Sequence, residues 1–293
     1  MITERQLQNY SRALSETENG KCTHTYIALE KVLKEKFGNS VDIFLQGSYK
    51  NSTNIKQDSD VDIVICYTDA YFPDLSMLTE QEKSQYKLSI VTHHYEFSQF
   101  KNDVEALMRT NFGAVERKNK CIFIHGNNYR VNADVVPCFV CKRFSSPYRV
   151  ETEGVKLISD NGEDIISFPK QHYYNGVHKN KSTNRSFKSA VRVLKNVRNI
   201  LIDDRIIDIK IMPSFFLECL VWNVLDTHFN EHSIKDTIIK IIEVLWSDMG
   251  NIEATNNYAE ISDLMYLFRR QPTRTPENAK IFLKSAYNLI NSQ

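Results

Sequence analysis

The sequence predicts an α+β fold in which a mixed sheet with flanking helices is followed by a lobe of helices alone. Three observations predict it. Short runs rich in Val, Ile and Phe crowd the stretch from Val41 to Phe144. Segments of helix formers precede and interrupt these runs, and from Pro169 onward the apolar residues recur only at helical spacing.

Taken in order, residues 2 to 37 read as one or two helices, with apolar residues at Tyr26, Leu29, Val32, Leu33 and Phe37 and a stop at Gly38. The strand candidates are "VDIFLQ", "VDIVICY", "CIFIH", "YRVNADVVP" and "FVCKRF", with the hairpin signal "GNN" between the third and fourth. Residues 78 to 112 read mostly as helix ending at Gly113, and "DNGED" marks a second hairpin at 160 to 164. The later segments "RSFKSAVRVLKNVRNILI", "PSFFLECLVWNVLDTHF", "SIKDTIIKIIEVLWSDM" and "PENAKIFLKSAYNLI" are helices by period. Pro213, Pro272 and Pro276 fall near helix starts, where a fixed φ and a missing donor cost nothing. The expected division is 1–168 and 169–293, a change of architecture rather than a Gly/Ser hinge.

With 293 residues, 42% hydrophobic and 25% charged, the chain has enough apolar material for a large bilobal core. Lys and Arg total 37 against 36 Asp and Glu, a net charge of +1, so no global excess points to nucleic acid or a membrane surface. No apolar stretch has the length of a membrane span, and the N-terminal twenty or so residues lack the apolar centre of a signal peptide. A cytoplasmic monomer without a membrane partner is expected. The cysteines are sparse and several lie in apolar runs; Cys138 and Cys141 form a lone CxxC with no second pair, and they read as structural thiols.

The chemistry concentrates in "LQGSYKNSTNIKQDSDVDIVI". A strand period of two puts Asp60 and Asp62 on one face while Val61 and Ile63 turn to a core. Two carboxylates in one space repel unless one is protonated or a cation lies between them, and hard oxygen donors suit Mg²⁺ or Mn²⁺. Asp134, amid Val131, Ala133, Val135 and Val136, is a third carboxylate that needs a partner in apolar surroundings. Three carboxylates on two strands can hold two metal ions. Gly47 permits close backbone approach to a phosphate, and successive N–H groups with the Ser48 hydroxyl can bind its oxygens.

"GSYKNSTNIKQDSDVDIVI" together with "VNADVVP" resembles the signature of the polymerase-β-like nucleotidyltransferases. Within that superfamily, "FKSAVRVLKNVRN" and "PSFFLECLVWNV" resemble the bacterial CD-NTases, relatives of cyclic GMP-AMP synthase and oligoadenylate synthase, and the likeness is greatest to the CdnE clade. The resemblance spans most of the chain. It implies a polymerase-β-like core with a C-terminal helical lobe, metals on Asp60, Asp62 and Asp134, and the donor triphosphate at Gln46, Gly47 and Ser48. Asp58, two residues upstream of Asp60, is read as a loop residue.

From Ile165 to Ile202 there is no acidic residue, while Lys170, Lys179, Lys181, Arg185, Lys188, Arg192, Lys195 and Arg198 all lie there. Arg185, Lys188, Arg192 and Lys195 share a helical face that could meet solvent, nucleic acid or a triphosphate; Val191, Leu194 and Val197 share another. The resemblance implies phosphate contact for Lys195, with Lys188 and Ser214 as further candidates. "FPKQHYYNGVHKNKST" reads as a polar, aromatic pocket wall in which the Asn175 side chain can present a donor and an acceptor to a base edge; that it favours uracil is what the resemblance implies, and His172 and His178 receive no role. Phe215, Phe216, Leu220, Trp222 and Val224 form a core helix, with Ser214 and Glu218 on its less apolar side.

The function expected is the joining of purine or pyrimidine NTPs into a cyclic di- or oligonucleotide with release of pyrophosphate, which the resemblance places in bacterial antiphage (CBASS) signalling with possible regulatory or effector partners. Transfer of NMP to another acceptor, synthesis of linear oligonucleotides and a non-catalytic nucleotide-binding scaffold are the rivals. Nothing resembles the zinc-bearing DNA-binding insertion of animal cyclic GMP-AMP synthase, so no nucleic-acid activator is expected.

Overall fold

A capping box opens the first helix: the Thr3 hydroxyl accepts from the Gln6 amide, and the Gln6 side chain accepts from the Thr3 amide. The computed structural model describes residues 2–13, 15–55, 60–88, 95–269 and 272–291. After α1 (Glu4–Tyr10) comes α2 (Glu16–Phe37), closed by Gly38 at φ +58. Next are β1 (Val41–Gln46), the short helix α3 (Gly47–Asn51), β2 (Val61–Asp74), α4 (Glu80–Lys87) and α5 (Phe97–Phe112), with Gly113 ending α5 at φ +74. The stretch from 78 to 112, expected to be mostly helix, holds α4 and α5, with 89–94 outside the described residues; Asp58 lies outside them too.

Five strands follow: β3 (Val115–Arg117), β4 (Ile122–Ile124), β5 (Ala133–Ser146), β6 (Arg149–Ile158) and β7 (Asp164–Ser167). The expected strands "YRVNADVVP" and "FVCKRF" merge into one, which begins only at Ala133 and runs on through Pro137. Pairing explains the tolerance: β4 leaves β5 at Val135 and β6 joins it at Phe139, so the missing N–H of Pro137 falls in the gap between two partners.

The sheet runs β1-β2-β5-β4-β3, with β6 on β5 and β7 on β6; β2 and β5 are parallel and the other pairs antiparallel. The two expected hairpins are present, β4 to β5 and β6 to β7, the latter turning at Gly162. One face of the sheet buries Val61, Ile63, Ile65, Ala133 and Val135 with Leu29 and Leu33 of α2 and Phe100, Val104 and Met108 of α5. Apart from Ala133, each such side chain contributes about 1.5–3 kcal/mol by leaving water. Cys138 and Cys141 are buried free thiols, and Cys66 is the register partner of Cys138.

The remaining helices are α6 (Pro169–Ser182), α7 (Ser186–Asp203), α8 (Ser214–Trp222), α9 (Ile234–Asp248), α10 (Ile252–Asn257) and α11 (Pro276–Asn291). Pro213 precedes α8 and Pro276 begins α11. The segment expected as a pocket wall between the halves is the helix α6. The fully buried Val191, Leu194 and Val197 of α7 pack with Phe216 and Leu220 of α8, Ile241 and Leu245 of α9, and Phe282 and Ala286 of α11.

By contact the chain forms two units, Ser15–Lys50 with Ser59–Pro169, and Met1–Leu14 with Asn51–Asp58 and Lys170–Gln293. The first carries the sheet. Helix α1 and the residues that follow Lys50 belong with the later helices. Among the described residues no helix is long and apolar enough to cross a membrane.

Candidate active site

The sheet unit brings Gln46, Asp62 and Asp134 into one row. Gln46 is the register partner of Asp62 across β1 and β2, Asp62 that of Asp134 across β2 and β5, and Phe123 of β4 completes the row beyond Asp134. Strand alternation gives these residues one face, opposite the buried Val61, Ile63, Ala133 and Val135. Asp60 is exposed and stands immediately before β2.

Gly47 follows Gln46 directly and has φ +68. A β-carbon there would lie 1.9 Å from Asp62 Oδ2 and 2.8 Å from its Cγ. The backbone of the Gly47-Ser48 turn therefore rests against the Asp62 carboxylate, an approach only glycine permits. Ser48 lies within α3.

Asp134, expected to need a partner in apolar surroundings, has protein partners and is not fully buried. Its side chain is 24% exposed, and Lys118 Nζ lies 3.7 Å from Oδ1. The Cys121 thiol donates to the same oxygen at 3.1 Å. Burial, then the bond to Asp134, pushes this thiol up, so it stays a protonated donor. Lys118 also sits 3.5 Å above the centre of the Phe123 ring. Neither Lys118 nor Cys121 was expected; the β4–β5 hairpin, which pairs Phe123 with Asp134, is the signal that brings both within reach.

Among the described residues no group of three or more His, Cys, Asp or Glu side chains stands gathered to hold a metal ion. The donor chemistry nevertheless fits a hard divalent cation: Asp62 and Asp134 are adjacent carboxylates on one face, with Asp60 at the entry to the strand.

The helical unit contains a second polar cluster. Lys188, Arg192 and Lys195, which share the basic face, are buried rather than solvated, while Arg185 precedes the helix at φ +69 and is exposed. Lys195 is 1% exposed, and its ammonium lies 3.3 Å from Glu218 Oε2 and 3.5 Å from Thr53 Oγ1. His172 Nε2 lies 3.2 Å from Glu218 Oε1, so the histidine left without a role is part of this cluster. Burial pushes the Lys188 amine down, and burial likewise lowers Arg192 to about 10. Ser214 opens α8. The Asn175 amide donates to the Ile261 carbonyl at 2.7 Å, which ties α6 to the 261–263 turn. A lone carboxylate in the apolar run "FFLECLVW" was the sequence signal for the Glu218 cluster.

Comparison with known proteins bears on both units. A family model described as the nucleotidyltransferase domain matches residues 27–153, and one described as the cGAS/DncV-like nucleotidyltransferase C-terminal helical domain matches residues 174–291. A cyclic dipurine nucleotide synthase of Elizabethkingia meningoseptica is 44% identical over 100% of this chain and 99% of its own. A cyclic dipyrimidine nucleotide synthase CdnE of Legionella pneumophila is 33% identical over 98% and 97%. The solved structure of the Elizabethkingia meningoseptica CdnE cyclic dinucleotide synthase with GTP and Apcpp has a TM-score of 0.84 at 43% identity, covering 99% of this chain and 100% of that one.

Proposed function

The chain belongs to the cGAS/DncV-like nucleotidyltransferase (CD-NTase) family, and from that premise we propose that it joins NTPs into a cyclic di- or oligonucleotide with release of pyrophosphate. The observation that carries the reading to this chain is the register pairing of Asp62 with Asp134 beside the Gly47 turn. Asp60, Asp62 and Asp134 would hold Mg²⁺ or Mn²⁺, most simply two ions, which supply Lewis-acid stabilisation of the charge on the transferring phosphoryl group. Asp134 is the proposed acceptor of the proton leaving the attacking ribose hydroxyl. Gln46, Gly47 and Ser48 are proposed to bind the donor triphosphate. Lys188 and Lys195 are proposed to neutralise phosphate oxygens, and the Ser214 hydroxyl to donate a hydrogen bond to one.

Each turn of the reaction forms a bond from a ribose oxygen to an α-phosphorus and breaks the bond to pyrophosphate; a second such step within the linear product closes the ring. Purine NTPs are the proposed substrates, because the dipurine synthase shares 44% of its residues against 33% for the dipyrimidine synthase. Pyrimidine use through Asn175 is the second reading, favoured by that dipyrimidine relative. Antiphage signalling in the bacterial cytoplasm, with regulatory or effector partners, is the setting we propose from the family.

Incubating the chain with each NTP pair and Mg²⁺, without another acceptor, tests the proposal. A phosphatase-resistant product with stoichiometric pyrophosphate is expected. A phosphatase-sensitive product would indicate linear synthesis. Absence of product until a macromolecule or small acceptor is added would replace cyclisation with NMP transfer, and no product under either condition would leave a nucleotide-binding scaffold.

A further inference from the structure

Glu218 is 4% exposed on a helix whose Leu217, Leu220 and Val221 are fully buried. A carboxylate in such surroundings is costly unless it is paired and hydrogen-bonded. Its partners converge on one short segment of chain. Oε2 accepts from the Thr53 hydroxyl at 3.0 Å and from Lys195 at 3.3 Å. Oε1 lies 3.2 Å from His172 Nε2, which is itself 3.2 Å from Asn51 Nδ2.

Between Asn51 and Thr53, Ser52 has φ +54, a conformation unfavourable for a residue with a side chain. Its carbonyl accepts from Arg192 Nη1 at 2.5 Å, and Arg192 also bonds the Ser11 carbonyl at 2.7 Å and Ser189 Oγ at 3.3 Å. Three consecutive residues thus meet side chains of α6, α7 and α8. Asn51 is also the last residue of α3, the helix that Gly47 begins. Buried ion pairs are often no more stabilising than apolar replacements of the same volume, so stability alone is a poor reason for this one.

We propose that Glu218 is a positioning residue for nucleotide binding: by holding Thr53 and Lys195 it fixes the strained segment that leaves the Gly47-Ser48 turn, and with it the orientation in which the turn meets an NTP triphosphate. The proposal rests on the reading of that turn as the triphosphate site. It assigns to a carboxylate that touches no phosphate a share in nucleotide affinity. It also explains why Thr53, an uncharged residue in a connecting segment, is fully buried.

The test is calorimetric titration of the full chain with a non-hydrolysable NTP analogue in Mg²⁺, alongside urea unfolding midpoints. Thr53→Val keeps the shape and deletes the hydroxyl; Thr53→Ser restores it; Glu218→Gln removes the charge. Thr53→Val is expected to weaken binding about tenfold, as loss of one charge-assisted hydrogen bond would. Glu218→Gln is expected to weaken it at least as much, and Thr53→Ser to stay within about twofold of the wild type, all well below their unfolding midpoints. Wild-type affinity in Thr53→Val, or a Thr53→Ser variant as weak as Thr53→Val, would overturn the proposal. Failure of the synthase reading has a different signature: a wild-type chain that binds the analogue but forms no product from any NTP pair. A wild-type chain that binds no analogue overturns both.

Discussion

Gly47 and Asp62 compete for a space that holds one side chain: a β-carbon on Gly47 would sit 1.9 Å from Asp62 Oδ2. Gly47 also has φ +68, where any other residue is strained by about 1–3 kcal/mol. Gly47→Ala therefore displaces the proposed metal-binding carboxylate and distorts the turn together. Product formation is expected to fall about 100-fold or more, since a displacement near 1 Å at a reacting centre costs that much. Product yield and the urea midpoint are the measurements, and undiminished yield would remove the turn from the site.

Asp62 and Asp134 face each other across parallel strands, so neither carboxylate can substitute for the other without leaving its strand position. Asp62→Asn and Asp134→Asn are each expected to lower the rate by about a thousandfold, the equivalent of several kcal/mol of transition-state stabilisation. EDTA is expected to abolish product in the wild type and to leave its melting temperature unchanged, because Cys138 and Cys141, three residues apart on β5, point to opposite faces of the strand, which opposes joint ligation of one ion. Calorimetric scans with and without chelator check the second half; a large downward shift would reveal a structural metal.

Much of this site was legible because its determinants are local. Alternation set the faces of Asp60 and Asp62, Gly47 announced a close approach, and Pro169 marked the change to helical spacing. The Asp62–Asp134 pairing was legible only in parity, since strand register is fixed by partners far apart in sequence. Strand β6, "RVETEGVKLI", went unread because its first half is polar and largely exposed. Lys188, Arg192 and Lys195 look like a surface stripe in sequence; their burial depends on Glu218 and on the carbonyls of Ser11 and Ser52, which no local pattern connects to α7.

Glu218 makes the helical unit sensitive to acid. Burial alone pushes its carboxyl up, but Lys195 first, then His172 and Thr53, outweigh burial and hold it at about 2, against an ordinary 4.5. A folded value below the unfolded one means that the stabilisation is complete above about pH 4.5 and is lost as the pH falls through about 2. Glu218→Gln leaves Lys195 buried without its counter-charge, expected to cost about 3–5 kcal/mol at pH 7. The gap in unfolding free energy between wild type and Glu218→Gln should therefore be smaller in urea titrations at pH 3 than at pH 7. A gap independent of pH would mean that packing, not charge, accounts for the loss.

Asn175 separates the two readings of base choice. Its amide donates to the Ile261 carbonyl at 2.7 Å and lies 3.5 Å from Asp263 Oδ2, while Asp263 Oδ1 accepts from the Trp222 indole at 3.0 Å. Asp263 itself has φ +57, so this turn depends on its side-chain bonds to hold an unfavourable backbone. If purines are the substrates, Asn175→Ala removes a tether and nothing else. The expected outcome is a loss of about 1–2 kcal/mol in unfolding free energy, from one lost bond and a buried carbonyl left without its donor, with product composition unchanged. Mass analysis of the products from an equimolar mixture of the four NTPs reads the second quantity. Loss of pyrimidine incorporation at unchanged stability would instead place the Asn175 amide on a base edge, and would reverse the preference for purines.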